Sequence, residues 1–361
     1  MFTEFYTLDD KLQEQLNSRA FPDSSLFFDI ETTGLDHRRS HLYLLGMIFQ
    51  ENGSWKLVQL FAEKPAEETE ILEAFAKRLS VSSPLIHFNG TTFDIPYLQH
   101  RCDFHGLPLS WPDSPGLDLY RRIRPFQKLL DLPQCRQKDC EIFCGIFRKD
   151  PFSGGQLTKV YRSYLETGEI RLKKVLMLHN RDDMEGMVKI LPLLSYSSLK
   201  EGQFHLISRN VSPEEQLCRL VLKLDFPLPR PLFLRRGAVH AEISGSQLLL
   251  TVPLFIGTLK YFYSNYKDYY YLPEEDQAVH KSVGAYVDKA HRRQARAFDC
   301  YQKKDGIFLP QFSDFHTPSF RTALRETSSY FLFREEEWLP ESELPTAYAA
   351  HLIKELLRMP D

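Results

Sequence analysis

The chain has 361 residues, 43% of them hydrophobic and 26% charged, with a formal net charge of -3. That composition excludes a disordered chain, a coiled coil and a collagen-like repeat, and the length suits two domains or one large domain with an appendage. The near balance of charge gives no global field toward nucleic acid or membrane, so a polyanion must be met by a local patch.

No stretch reaches the roughly 18 uninterrupted apolar residues of a membrane span, and the opening MFTEFYTLDD carries acids where a leader would carry bases. These features predict a cytoplasmic protein. Its six cysteines contain no C-x-x-C pair and predict reduced thiols. Cys102, Cys135, Cys140 and Cys144 could in principle hold a metal or an iron–sulfur cluster, but their spacings match no metal-site pattern and buried small side chains are the better reading.

In chain order, LFFDIE (26–31) and HLYLLGMIFQ (41–50) are β-rich. Glu51-Asn52-Gly53 then turns the chain into WKLVQLFA (55–62), which predicts three successive antiparallel strands. After Pro65, AEETEILEAFAKRL places Ile71, Leu72, Phe75 and Leu79 at helical spacing, with acids in the first turn. PLIHF (84–88) reads as a short buried strand ended by Asn89-Gly90, and a helix restarts from Pro96. The order βββαβα marks an α/β unit. A basic stretch from Arg121 to Lys138, a Ser153-Gly154-Gly155 loop and helices near 156–166 and 169–194 follow.

The texture changes between about 200 and 215. AVHAEISG (238–245), QLLLTVPLF (247–255) and the tyrosine-rich LKYFYSNYKDYYYLP (259–273) are β-biased. Residues 276–300 are expected to be helical and basic, and 307–333 strand and loop. A helix over 346–358 is expected to align Ala349, Leu352, Ile353, Leu356 and Leu357 on one stripe. The expected division is therefore 1–200 and a smaller C-terminal α+β domain, 201–361.

Asp29 and Glu31, two apart in FFDIETTGLD, leave the same face of a strand. Two acids at that spacing arise often by chance. Their place at the end of an apolar strand, where like charges lose hydration, is what calls for a cation. Asp94, in HFNGTTFDIPYL, lies where a loop enters a helix and by itself reads equally well as an N-cap. Asp183, in LHNRDDMEGM, follows His179 by four residues, and Leu176, His179, Asp183 and Met187 form a stripe that should face protein. Four such carboxylates suit two hard cations, Mg²⁺ or Mn²⁺, clamping the attacking and leaving oxygens of a phosphodiester. His179 is placed to take the proton of the attacking water.

The segments FFDIETTGL, HFNGTTFDIPYL and HNRDD together resemble, in order, the three motifs of the DEDD, or DnaQ-like, 3′-5′ exonucleases of the RNase H-like superfamily. GLDLYRRIRP and KDCEIFCGIFRKDPFSGGQ narrow the resemblance to the YprB-like branch. The likeness runs over roughly 24–195. It implies a mixed five-stranded sheet flanked by helices, with Asp29, Glu31, Asp94 and Asp183 as ligands of two metal ions and His179 as general base. Asp183 is chosen over the adjacent Asp182 because it alone has the histidine four positions earlier. By the same resemblance Asn89 and Phe93 line the substrate end of the site. Thr32, Thr33, Gly34 and Leu35 form a turn where Leu35 meets the terminal nucleotide.

Two basic runs, 121–138 and 281–304, each carry +5 by count. Either can pair with phosphates or serve as a solvated helix face. Arg292, Arg293 and Arg296 in the second follow Tyr261, Tyr263, Tyr266, Tyr269, Tyr270 and Tyr271, residues able to stack unpaired bases. The sequence thus predicts a metal-dependent 3′-5′ exonuclease acting on single-stranded DNA or RNA ends. The alternative is a non-catalytic nucleic-acid-binding module, or an adaptor that recruits a partner through its last helix.

Overall fold

The structure, a computed structural model, describes residues 1–113, 116–148 and 154–358. Two compact units divide it, Met1–Ser197 and Ser198–Asp361. The first runs β1 (Phe2–Thr7), α1 (Asp10–Ser18), β2 (Leu26–Thr32), β3 (Leu42–Glu51), β4 (Ser54–Phe61), α2 (Glu68–Leu79), β5 (Leu85–His87) and α3 (Asp94–His105). It continues with β6 (Leu117–Asp118), α4 (Leu119–Ile123), α5 (Gln137–Phe143), α6 (Gly154–Thr167) and α7 (Ile170–Lys189). Ser153 of the expected loop lies outside the described residues, and Gly154 and Gly155 begin α6.

The strands form one mixed sheet in the order β1-β4-β3-β2-β5-β6, antiparallel except for the parallel pairs β2 with β5 and β5 with β6. It is the expected RNase H-like sheet with a sixth strand, β1, added beyond β4. That strand is hard to see in sequence because it lies at an edge, with Phe5 66% exposed and no clean alternation of burial.

Alternation along β2 divides the layers. Phe28 packs on Phe75 of α2 (ring centroids 5.4 Å), while Phe27 meets Trp55, whose indole is held by Asn17 of α1. The Phe27 face also carries Asp29. Asp29, Gly46 and Gln59 lie opposite one another on β2, β3 and β4, a row that looks at α7. Gly46 matters here because a Cβ would collide with Asn180 Oδ1 and approach Met184 Cγ to 2.7 Å. The missing side chain lets α7 settle onto the sheet and carries His179 and Asp183 to the end of β2.

The division between the units falls within α8 (Leu194–Glu201). The second unit then runs β7 (Phe204–Ser212), β8 (Leu217–Leu224), β9 (Leu232–Arg236), β10 (Val239–Ser244), β11 (Gln247–Pro253), β12 (Phe255–Phe262), β13 (Tyr269–Leu272), β14 (Gln277–His280) and α9 (Lys281–Gly284). β15 (Arg293–Gln294), β16 (Tyr301–Gln311), β17 (Ser329–Leu332) and α10 (Leu344–Leu356) complete it. Its sheets are β7-β8-β11-β10-β9, β12-β16-β17 and β14-β13-β15.

Residues 276–300 are therefore not the helix expected. β14 and β15 flank β13, and Ala278, Ala295 and Cys300 are buried against Tyr263, Tyr266, Tyr269 and Tyr271. Pairing with the tyrosine strand overrides local helix preference. In α10, Tyr348, Ala349, Leu352, Ile353 and Leu356 are wholly buried, so the stripe is core and is not presented to a partner.

Gly46→Ala should cost about 1–3 kcal/mol, the usual penalty for overpacking, because α7 must retreat from β3. Denaturant unfolding measures this directly.

Candidate active site

Three chain segments meet where β2 ends. β2 supplies Asp29 and Glu31, the first turn of α3 supplies Asp94, and α7 supplies His179 and Asp183. His179 Nε2 lies 3.1 Å from Asp183 Oδ2 and 3.5 Å from Glu31 Oε1. Asp182 instead lines a cavity of about 310 Å³ with Glu141, Arg148 and Glu185.

Each carboxylate titrates according to its neighbours. Burial first, then the charges of Asp183, Asp94 and Glu31, push Asp29 well above the usual carboxylate range, against the Asn180 hydrogen bond. Burial likewise pushes Asp94 up to about 7, although the backbone amides of Asp94 and Ile30 pull the other way. Asp183 differs. Burial would raise it, but the His179 hydrogen bond and the Arg148 charge outweigh burial and hold it below its ordinary value.

Four further residues arrange the cluster, and sequence reasoning missed them. Asn180 donates to Asp29 Oδ2 (3.2 Å), while Gln59, fully buried in β4, donates to Asn180 Oδ1 (2.8 Å). Arg148 Nη1 stands 2.6 Å from Asp183 Oδ1, and its other nitrogens are held by Glu141. Gln59 was visible as the one polar residue inside the apolar LVQLFA, and Asn180 as part of HNRDD. Nothing in the sequence joined Glu141 to Arg148.

Around the cluster, Thr32 Oγ1 donates to the Gly34 carbonyl (2.8 Å), and Leu35 after that turn is 84% exposed. Asn89 has φ of 61°, and its amide donates to Asp118 Oδ1, which fixes the loop before α3. The half-buried Phe93 packs on Tyr97. Arg292, Arg293 and Arg296 belong to the second unit. There, the Arg292 guanidinium lies over Tyr270 and bonds the Gly284 carbonyl, and Arg293 lies over Tyr271 and pairs with buried Asp299 at 2.6 Å. The Arg296 side chain is exposed.

Glu31, His179 and Asp183 each offer a donor atom, all within 4.8 Å of one another. Together with the crowding of negative charge at Asp29, which Asn180 offsets only in part, this oxygen-rich set fits a divalent cation.

Residues 26–195 match the model of a family in the RNase H superfamily. That span is just under half of the chain and contains all five residues of the cluster. The chain is also similar to the family B DNA polymerase of the hyperthermophilic archaeon Pyrobaculum calidifontis, with 15% identity, a TM-score of 0.39 and coverage of 69% of this chain and 35% of that one. Similarity extends to the zinc-bound ExoI–ssDNA complex of E. coli, with 15% identity, a TM-score of 0.28 and coverage of 55% and 54%. The chain thus spans about a third of the polymerase chain (35%) and about half of the ExoI chain (54%). No curated protein matches the sequence. The first unit is an RNase H-like domain with an acidic cluster able to hold a metal ion, and no helix among the described residues is long and apolar enough to cross a membrane.

The raised carboxyls predict a pH signature. A carboxyl whose folded-state pKa lies above its unfolded value of about 4 stabilises the fold fully below that value, and its contribution is lost as pH rises. For Asp94 the loss runs up to about pH 7. In EDTA at pH 8, Asp94→Asn should melt at a higher temperature than the parent, with the difference closing toward pH 4. An unchanged melting temperature at pH 8 would show that Asp94 is not under strain there.

Proposed function

We propose that the first unit is a metal-dependent 3′-5′ exonuclease that hydrolyses phosphodiester bonds at single-stranded ends, with two Mg²⁺ or Mn²⁺ ions held by Asp29, Glu31, Asp94 and Asp183. The observation that carries this reading is convergence: acids and a histidine from three distant segments share one pocket of mutual repulsion. When bound, such ions supply positive charge to the attacking and leaving oxygens of the phosphodiester. His179, whose imidazole lies beside Glu31 and Asp183, is the general base that would take the proton of the attacking water. Leu35 and Phe93 would meet the terminal nucleotide, with Thr32, Gly34 and Asn89 shaping the turns that present them. The spacer motifs favour the YprB-like branch within this class.

Purified protein with Mg²⁺ or Mn²⁺ should shorten end-labelled single-stranded DNA or RNA from the 3′ end in single-nucleotide steps. Asp183→Asn should abolish the ladder, and His179→Ala should slow turnover by about 10²- to 10⁴-fold with little change in affinity. Binding without any ladder would favour the non-catalytic module, and normal turnover of Asp183→Asn would remove that ligand.

For the second unit we propose a grip on single strands by the run 281–304. Arg292 and Arg293 already have intramolecular partners, so the free phosphate contacts fall to residues such as Lys289 and Arg296, with Tyr286 (92% exposed) and Phe298 (60% exposed) as stacking surfaces. Lys289→Glu, Arg296→Glu and Tyr286→Ala together should weaken binding of long single strands and flatten its salt dependence, while hydrolysis of a very short oligonucleotide persists. Affinity equal to the parent across a salt titration would return this run to a solvated surface.

A further inference from the structure

Arg148 lies in none of the three motif segments, yet its side chain is only 7% exposed and touches the cluster. Glu141, 1% exposed on α5, grips it in a fork, with Oε2 on Nε and Oε1 on Nη2. That fork fixes the guanidinium plane and leaves Nη1 on Asp183 Oδ1. Gln137 Nε2 ties the arrangement to α7, donating to Glu141 Oε1 (3.0 Å) and to the Asp183 carbonyl (2.8 Å). All of it rests against Gly186, where a Cβ would collide with Glu141 Oε1 and crowd Gln137 Nε2 at 2.8 Å.

Burying a Glu–Arg pair is seldom a gain in stability over well-packed apolar residues. The contact that stability does not explain is the third one, on a carboxylate whose other oxygen, Oδ2, faces His179. We infer that Arg148, braced by Glu141, is the positioning residue of the site: it holds Oδ1 of Asp183 so that Oδ2 is presented with Glu31 to a divalent cation. This rests on the exonuclease reading only for the use made of that cation. Partners that orient a metal ligand in this way are typically worth 10- to 100-fold in metal affinity or activity.

The test is Mn²⁺ affinity of the full chain, read as free Mn²⁺ by electron paramagnetic resonance, with circular dichroism reporting the fold. Arg148→Met should weaken Mn²⁺ binding by about 10- to 100-fold, and its activity should recover as Mn²⁺ is raised. Arg148→Lys, which keeps the charge without the fork, and Glu141→Gln should fall between parent and Arg148→Met. The double variant Glu141→Gln/Arg148→Met should be no worse than Arg148→Met alone, since the two residues act as a unit. Should Arg148→Met fail to fold, the Lys and Gln variants carry the same comparison. Unchanged Mn²⁺ affinity in a folded variant overturns the inference, and tighter binding overturns it by making Arg148 a competitor of the cation. If the parent binds Mn²⁺ but shows no ladder, the exonuclease reading fails while the affinity comparison still decides the role of Arg148. A parent that binds no Mn²⁺ overturns both.

Discussion

Mutual repulsion among Asp29, Glu31, Asp94 and Asp183 is the constraint around which the first unit is organised. Like charges at the edge of an apolar core stay close only if the backbone leaves them no alternative. The sheet provides that rigidity for Asp29 and Glu31, α3 for Asp94, and α7, seated over Gly46, for Asp183. Burial and neighbouring charge lift Asp29 despite the Asn180 hydrogen bond, whereas His179 and Arg148 outweigh burial at Asp183 and bring it down. Two chemically alike side chains are thereby set apart by their surroundings.

The parts legible in the sequence were those with a local cause. β2, β3 and β4 follow from their apolar runs and the Asn52-Gly53 turn, and α2 from the spacing of Ile71, Leu72, Phe75 and Leu79. The pairing of His179 with Asp183 follows from one helical turn. What escaped depends on distant pairing. β1 is defined by β4, 49 to 59 positions away, from Phe2 opposite Phe61 to Thr7 opposite Lys56. Gln277–His280 and Arg293–Gln294 owe their extended form to Tyr269–Leu272. The Glu141–Arg148 fork has no periodic trace, because a loop residue was placed by a tertiary contact alone.

In the second unit the same limits appear in the basic run. Charge counting treated Arg292, Arg293 and Arg296 alike, whereas two of them lie over Tyr270 and Tyr271 and serve their own fold. The tyrosines likewise divide between core and surface: Tyr263 and Tyr269 stack at 4.3 Å over buried Ala278 and Cys300. Composition located the patch but not its exposed members.

α7 is twenty residues long and carries His179 and Asp183 on a single rigid rod. Helical rise, at 1.5 Å per residue, acts as a ruler between them and does not depend on how the chain reached Ile170. The spacing of the two residues is therefore independent of the length of the path from α3 to α6. Within that path, among the described residues, α5 and Arg148 are held in register with the rod through Asp183 and Gly186, so a change of length in this short stretch would pull Arg148 off Asp183.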